Sequence, residues 1–132
     1  MEERKELTLN EYQKKAMTTC MPSSENFSYM FLNLVGEVGE FASKVAKQIR
    51  KGRVGIGGSR NHLIPDILIE EWLAEEEELK KEAGDILWQL SGLCEVMGWK
   101  LEEVAQMNLD KLAARKQAGT IDGSGDGIIR GK

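Results

Sequence analysis

Apolar residues recur along this chain at steps of three and four in four separate stretches. That spacing gathers them on one side of an α-helix, because each residue turns the helix by about 100°. The first stretch runs from about Thr8 to about Thr19, with Leu9, Tyr12, Ala16 and Cys20 in register. Thr8 or Asn10 is a suitable cap for it. The second runs from about Ser24 or Asn26 to Lys51. It carries Phe27, Met30, Phe31, Leu34, Val38, Phe41, Val45 and Ile49, read as one buried face, and Gly52 closes it. The third extends from about Asp66 or Glu70 to Met97, with an apolar stripe of Leu79, Ile86, Leu90, Leu93 and Met97 and a stop at Gly98. The fourth, from about Lys100 to Ala118, carries Leu101, Val104, Ala105, Leu109 and Leu112.

The intervening residues 52–65 read as a loop, with the run Gly55-Ile56-Gly57-Gly58-Ser59 and a breaking Pro65. The Gly-Lys-Ser/Thr ending of a phosphate-binding loop is missing there. From Gly119 the glycine-rich sequence GTIDGSGDGIIRGK has no helical period. These patterns predict an all-α fold of four-helix-bundle type. One helical domain covers residues 1–118, and a tail covers 119–132.

Composition narrows the function classes. The chain has 132 residues, enough for one core. Its 18 basic and 22 acidic residues give a net charge of -4. A nucleic-acid polymer as partner is disfavoured, since its backbone calls for a basic surplus. The N-terminal MEERKELTLNEYQ has no apolar signal core, and no window approaches the roughly 20 apolar residues of a membrane span. No membrane association is expected, and the expected location is the cytoplasm. Cys20 and Cys94 lack metal-type spacing, and Cys94 sits in an apolar run as a small core residue.

The candidate chemistry lies in two acidic pairs. Glu37 and Glu40 are three apart in the second helix, Glu82 and Asp85 three apart in the third. A spacing of three puts both members of a pair on one face. Relative to the apolar face, Glu37 and Glu40 lie about 70° and about 130° to one side, and Glu82 and Asp85 about 60° and about 120° in the same sense. Antiparallel packing of the two helices then brings both pairs out on one side of the contact, at one height. Converging carboxylates repel, and an all-oxygen donor set suits a hard cation, magnesium first and manganese next. Magnesium held this way keeps positions open for water and substrate phosphates. His62 is the single histidine, which argues against zinc. A surface glutamate pair by itself is commonplace; the matched angle and height of two pairs carry the reading.

The segment Leu34-Val35-Gly36-Glu37-Val38-Gly39-Glu40, followed by Lys81-Glu82-Ala83-Gly84-Asp85-Ile86-Leu87-Trp88, resembles the MazG-like nucleotide pyrophosphohydrolases of the all-α NTP pyrophosphatase superfamily. Their pattern is Glu-Glu-x-x-Glu on one helix and Glu-x-x-Asp on the next. Gly36 stands where that pattern often has its first glutamate. Asn108, Lys111, Leu112 and Arg115 are similar to the family's Asn-x-x-Lys-Leu-x-x-Arg, and Gly123-Ser124-Gly125-Asp126 with Arg130 to the tails of its short members. The resemblance implies a helical bundle that assembles as a homodimer or homotetramer. It implies magnesium on Glu37, Glu40, Glu82 and Asp85, and cleavage of a nucleoside triphosphate between the α- and β-phosphorus atoms. Asn108, Lys111 and Arg115 share one helical face and are suited to phosphate oxygens. Lys44 and Lys47 extend the carboxylate side of the second helix, where they meet phosphates or pair with Glu40. Asn33 and Gln89 flank the acids and are candidates for orienting water or base. Trp88 and Trp99 suit a core or interface, or stacking on a base.

Two other readings compete. One is a non-catalytic helical module that binds nucleotide or protein, favoured by Gly36. The other is hydrolysis of a different phosphate anhydride.

Overall fold

The computed structural model describes residues 5–52, 54–55, 64–65 and 69–119. Helix α1 spans Leu9–Met17, and the Thr8 side chain caps it by accepting from the Glu11 N–H at 3.1 Å. A 3-10 turn over Pro22–Ser24 leads into α2, Phe27–Arg50. Asn26 caps α2 and accepts from the Tyr29 N–H at 2.8 Å. Helix α3 spans Ile69–Met97 and α4 spans Leu101–Ala118. Gly52 and Gly98, with φ of 69° and 74°, close α2 and α3 in the left-handed conformation that glycine adopts without strain. The all-α class expected from the apolar spacing is the class observed.

Residues 52–65, read as a loop, begin and end in a two-residue antiparallel bridge. Here β1, Val54–Gly55, meets β2, Ile64–Pro65, with Val54 opposite Pro65. His62, the middle of that segment and the tail beyond Gly119, with Asp126 and Arg130, lie outside the described residues.

The main packing joins α2 to α3. Asn33 bonds to Gln89, Lys44 pairs with Glu82, and Gln48 bonds to Glu75, so rising numbers on α2 meet falling numbers on α3. The two helices are antiparallel. Gly92 makes room for Met30 in this contact, because a methyl there would overlap the Sδ and Cε of that fully buried side chain. Helix α1 packs across α3, where Trp88 Nε1 donates to Ala16 O at 3.2 Å and Thr19 Oγ1 at 3.0 Å. Gln13 fixes the α3–α4 corner. Its Nε2 donates to Trp99 O at 2.9 Å, and its Oε1 accepts from the Leu101 N–H at 2.7 Å.

The buried faces differ from the ones the hydropathy pattern predicts. Among the described residues the buried apolar side chains are Met30, Cys94 and Leu101, accompanied by Gln13, Gln48, Glu82, Gln89 and Ser91. Cys94 occupies the core position expected of it. On α2 the expected face is only partly covered: Met30 is buried and Leu34, Phe41 and Val45 are half-buried, but Phe27, Phe31 and Val38, with Val35 beside them, remain between 47% and 59% exposed. Helix α2 turns a different flank to α3, carrying Met30, Asn33, Glu37, Lys44 and Gln48. Its most apolar stripe lies about 100° away from that flank. Phe27 and Phe31 stack on each other there, ring centroids 5.8 Å apart. No described element covers this stripe.

Candidate metal and phosphate site

Helical phase and antiparallel packing together build the site. Glu37 and Glu40 rise from adjacent turns of α2, and Glu82 faces them from α3. Each offers a carboxylate oxygen, and the three oxygens lie within 4.8 Å of one another. Glu37 is half-buried, Glu40 exposed and Glu82 buried, so the group grades from solvent into the helix contact. Asp85 is exposed and stands outside this trio. Its side chain is one methylene shorter, and it sits three residues further along α3. It remains close enough to Glu37 for its charge to act there.

The electrostatics follow from that crowding. Burial pushes the Glu37 carboxyl above the usual carboxylate range, and the charges of Asp85, Glu40 and Glu82 push it in the same direction. Lys44 relieves part of the load, its Nζ lying 2.5 Å from Glu82 Oε1. That hydrogen bond, with the charges of Glu82, Glu40 and Glu78, holds the ammonium above its ordinary value. Glu82 Oε2 is buried and has no hydrogen-bond partner. A carboxylate oxygen removed from water without a donor is costly unless a cation completes it. The orphaned oxygen, the all-oxygen donor set and the close spacing fit a hard divalent ion.

The remaining sequence candidates fall in two places. Asn33 is half-buried and donates from Nδ2 to Gln89 Oε1, while Gln89 Nε2 reaches Met30 Sδ at 3.5 Å. This pair belongs to the helix contact beside the acids. Asn108 and Lys111 are exposed and Arg115 is half-buried on α4. The main packing partner of α4 is α1, and it has no comparable contact with α2. Trp88 is half-buried and hydrogen-bonded to α1, whereas Trp99 is 44% exposed. Gly36 is exposed, and a Cβ there would meet only Asn33 Oδ1, at 3.8 Å. Space therefore does not dictate a glycine at this position.

One polar element was not singled out from sequence. Gln48 is 8% exposed, donates from Nε2 to Glu75 Oε2 at 3.0 Å, and leaves a buried Oε1 without a partner. With Lys44, Lys47, Lys51, Glu75 and Glu78 it lines a cavity of about 200 Å³ one turn beyond the carboxylates. The only hint in sequence is its position four residues after Lys44. A larger cavity of about 670 Å³ lies between α1 and the α3–α4 corner, lined in part by Lys14, Thr18, Glu95 and Trp99. It has no gathered acids, and the buried Gln13 at its wall is fully hydrogen-bonded, so its walls make no demand for a ligand.

Residues 25–120 match the family model of the MazG nucleotide pyrophosphohydrolase domain. The chain is also similar to "Gene 37 protein" of Mycobacterium phage L5, 36% identical over 104 residues, which is 79% of this chain and 78% of that protein. No solved structure matches it significantly. No described helix is long and apolar enough to cross a membrane.

Proposed function

Because the chain belongs to the MazG nucleotide pyrophosphohydrolase family, we propose that it hydrolyses nucleoside triphosphates to a nucleoside monophosphate and pyrophosphate with magnesium. The observation that supports this most is the trio of Glu37, Glu40 and Glu82, with a buried oxygen of Glu82 lacking any partner. These three residues hold the ion, and Asp85 at their edge completes its surroundings through water or directly. Magnesium, when bound, offsets the four negative charges and draws electron density from the substrate's phosphate oxygens. Manganese serves in its place.

The chain's own groups do the rest. A carboxylate of this group takes the proton as water oxygen bonds to the α-phosphorus. The bridging bond to the β-phosphate breaks, and pyrophosphate leaves with the electron pair. Lys44 and Lys47 at the neighbouring cavity meet phosphate oxygens, and Asn33 orients substrate beside the acids. Asn108, Lys111 and Arg115 provide further donors to phosphate. The uncovered stripe Phe27, Phe31, Val35 and Val38 is closed by a second copy of the chain, because an exposed apolar strip of this length marks an interface. The working form is a homodimer or homotetramer.

A panel of ribo- and deoxyribonucleoside triphosphates, incubated with magnesium and resolved by chromatography, tests the reading. Monophosphate and pyrophosphate should appear in equal amounts, and Glu82→Gln should stop both. Tight nucleotide binding without turnover would favour the non-catalytic module instead.

A further inference from the structure

The 2.5 Å contact between Lys44 Nζ and Glu82 Oε1 has a second side. Glu82 is one of the three acids gathered for an ion, so the ammonium and an incoming cation would share one carboxylate, and like charges this close repel. The Lys44 side chain is 42% exposed and attached to α2 by a flexible four-carbon stem. Four residues further along the same helix, and so on the same face, Gln48 holds a buried Oε1 with no donor. Its amide is oriented by the bond from Nε2 to Glu75 Oε2, which needs the N–H on that side and leaves the oxygen as the free acceptor. Lys44 and Gln48 line the same cavity of about 200 Å³. The same cavity wall thus carries an ammonium held by one acceptor and, one helical turn on, a second acceptor that is unfilled.

The geometry points to Lys44 as a tethered counter-cation that a divalent ion displaces from Glu82 onto Gln48. Before the ion arrives, Lys44 neutralises Glu82 and keeps the three acids from forcing each other apart. When the ion binds, the ammonium swings about one turn along α2 and donates to Gln48 Oε1 within the cavity that Lys47 and Lys51 also line. There it meets the phosphate oxygens of an incoming nucleotide. Metal binding and the exposure of a phosphate-binding cation are thus one event. This inference rests on the metal site assigned above and adds an order to its use.

Two measurements test it without relying on turnover. In the first, magnesium and manganese are titrated calorimetrically into the wild-type chain, Lys44→Met and Lys80→Met. Lys80 is exposed, pairs with Glu76 at 3.5 Å and lies outside the cavity, so it controls for net charge. Lys44→Met should bind either ion roughly fivefold to tenfold more tightly at low salt, since no ammonium competes. Lys80→Met should match the wild type. Equal affinities in all three would overturn the displacement. In the second, the Lys44 ammonium of the wild-type chain is followed by nitrogen-15 NMR during magnesium addition, which needs no variant to fold. Its signal should move with the metal isotherm; a stationary signal while metal binds would also overturn it. If neither wild type nor Lys44→Met takes up any divalent ion, the metal site and the inference fall together. If metal binds and Lys44 does not respond, only the inference falls.

Discussion

The α1–α3–α4 corner and the middle of the α2–α3 contact bury polar groups in opposite ways. At the corner Gln13 spends both ends of its amide on backbone, at Trp99 O and the Leu101 N–H, and Trp88 donates into α1. In the α2–α3 contact Glu82 Oε2 and Gln48 Oε1 are buried with nothing to accept from, and three acids crowd together. Ser91 Oγ is also buried without a partner. A hydroxyl, though, can rotate onto a carbonyl of the preceding helical turn, which a carboxylate oxygen cannot do. The corner holds the chain's shape. The α2–α3 contact leaves buried acceptors unfilled at the proposed metal site, a cost in stability of the kind that functional sites carry.

That contrast is open to direct attack. Glu82→Gln should have the largest effect, lowering hydrolysis by roughly 100-fold or more by removing a carboxylate of the proposed metal site. It should leave the melting temperature of the metal-free chain near that of the wild type, because it also removes like-charge repulsion. Steady-state rates and thermal melts check both halves. Gln13→Ala should do the reverse. It strands a buried N–H and a carbonyl at the corner, costs about 2–3 kcal/mol in urea unfolding, and leaves the metal affinity of the folded fraction unchanged. Gly92→Ala should cost about 1–2 kcal/mol, because the added methyl runs into Met30 in a closed contact.

The smallest effect is on pH dependence. Glu37 ionises above the usual carboxylate range in the folded chain and at its ordinary value when unfolded. Between those two values the folded state binds more protons, so stability without metal should fall as pH rises through that window. Metal affinity should rise over the same window, because proton and ion compete for one carboxylate. Unfolding and metal titrations at stepped pH read the two slopes, and a metal affinity flat across the window would remove Glu37 from the site.

Much of the helical layout could be read from local chemistry. Asn26 ahead of Phe27, Gly52 after Lys51 and Gly98 after Met97 each mark a helix end by their own side chain or its absence. The convergence of Glu37, Glu40 and Glu82 follows from a spacing of three, which is local, and from an antiparallel partner helix, which the order of the elements suggests. The place of Asp85 outside the trio depends on side-chain length and local packing, which angle alone does not resolve. The buried flank of α2 was harder to find for another reason. Periodicity gathers Phe27, Met30, Phe31 and Val38 on one face, but Phe27, Phe31 and Val38 stay exposed while Met30 and the polar Gln48 are buried. Hydropathy cannot tell a surface buried within one chain from one left for another molecule. Gln13 and Gln48 were silent because their burial is set by partners distant in sequence, 86 and 27 residues away.

Anomalous diffraction from a manganese-soaked crystal locates a bound divalent ion without reference to activity. A single strong manganese peak should appear between the carboxylates of Glu37, Glu40 and Glu82, with Glu82 Oε2 among its ligands. A peak elsewhere, or none at saturating manganese, would contradict the account.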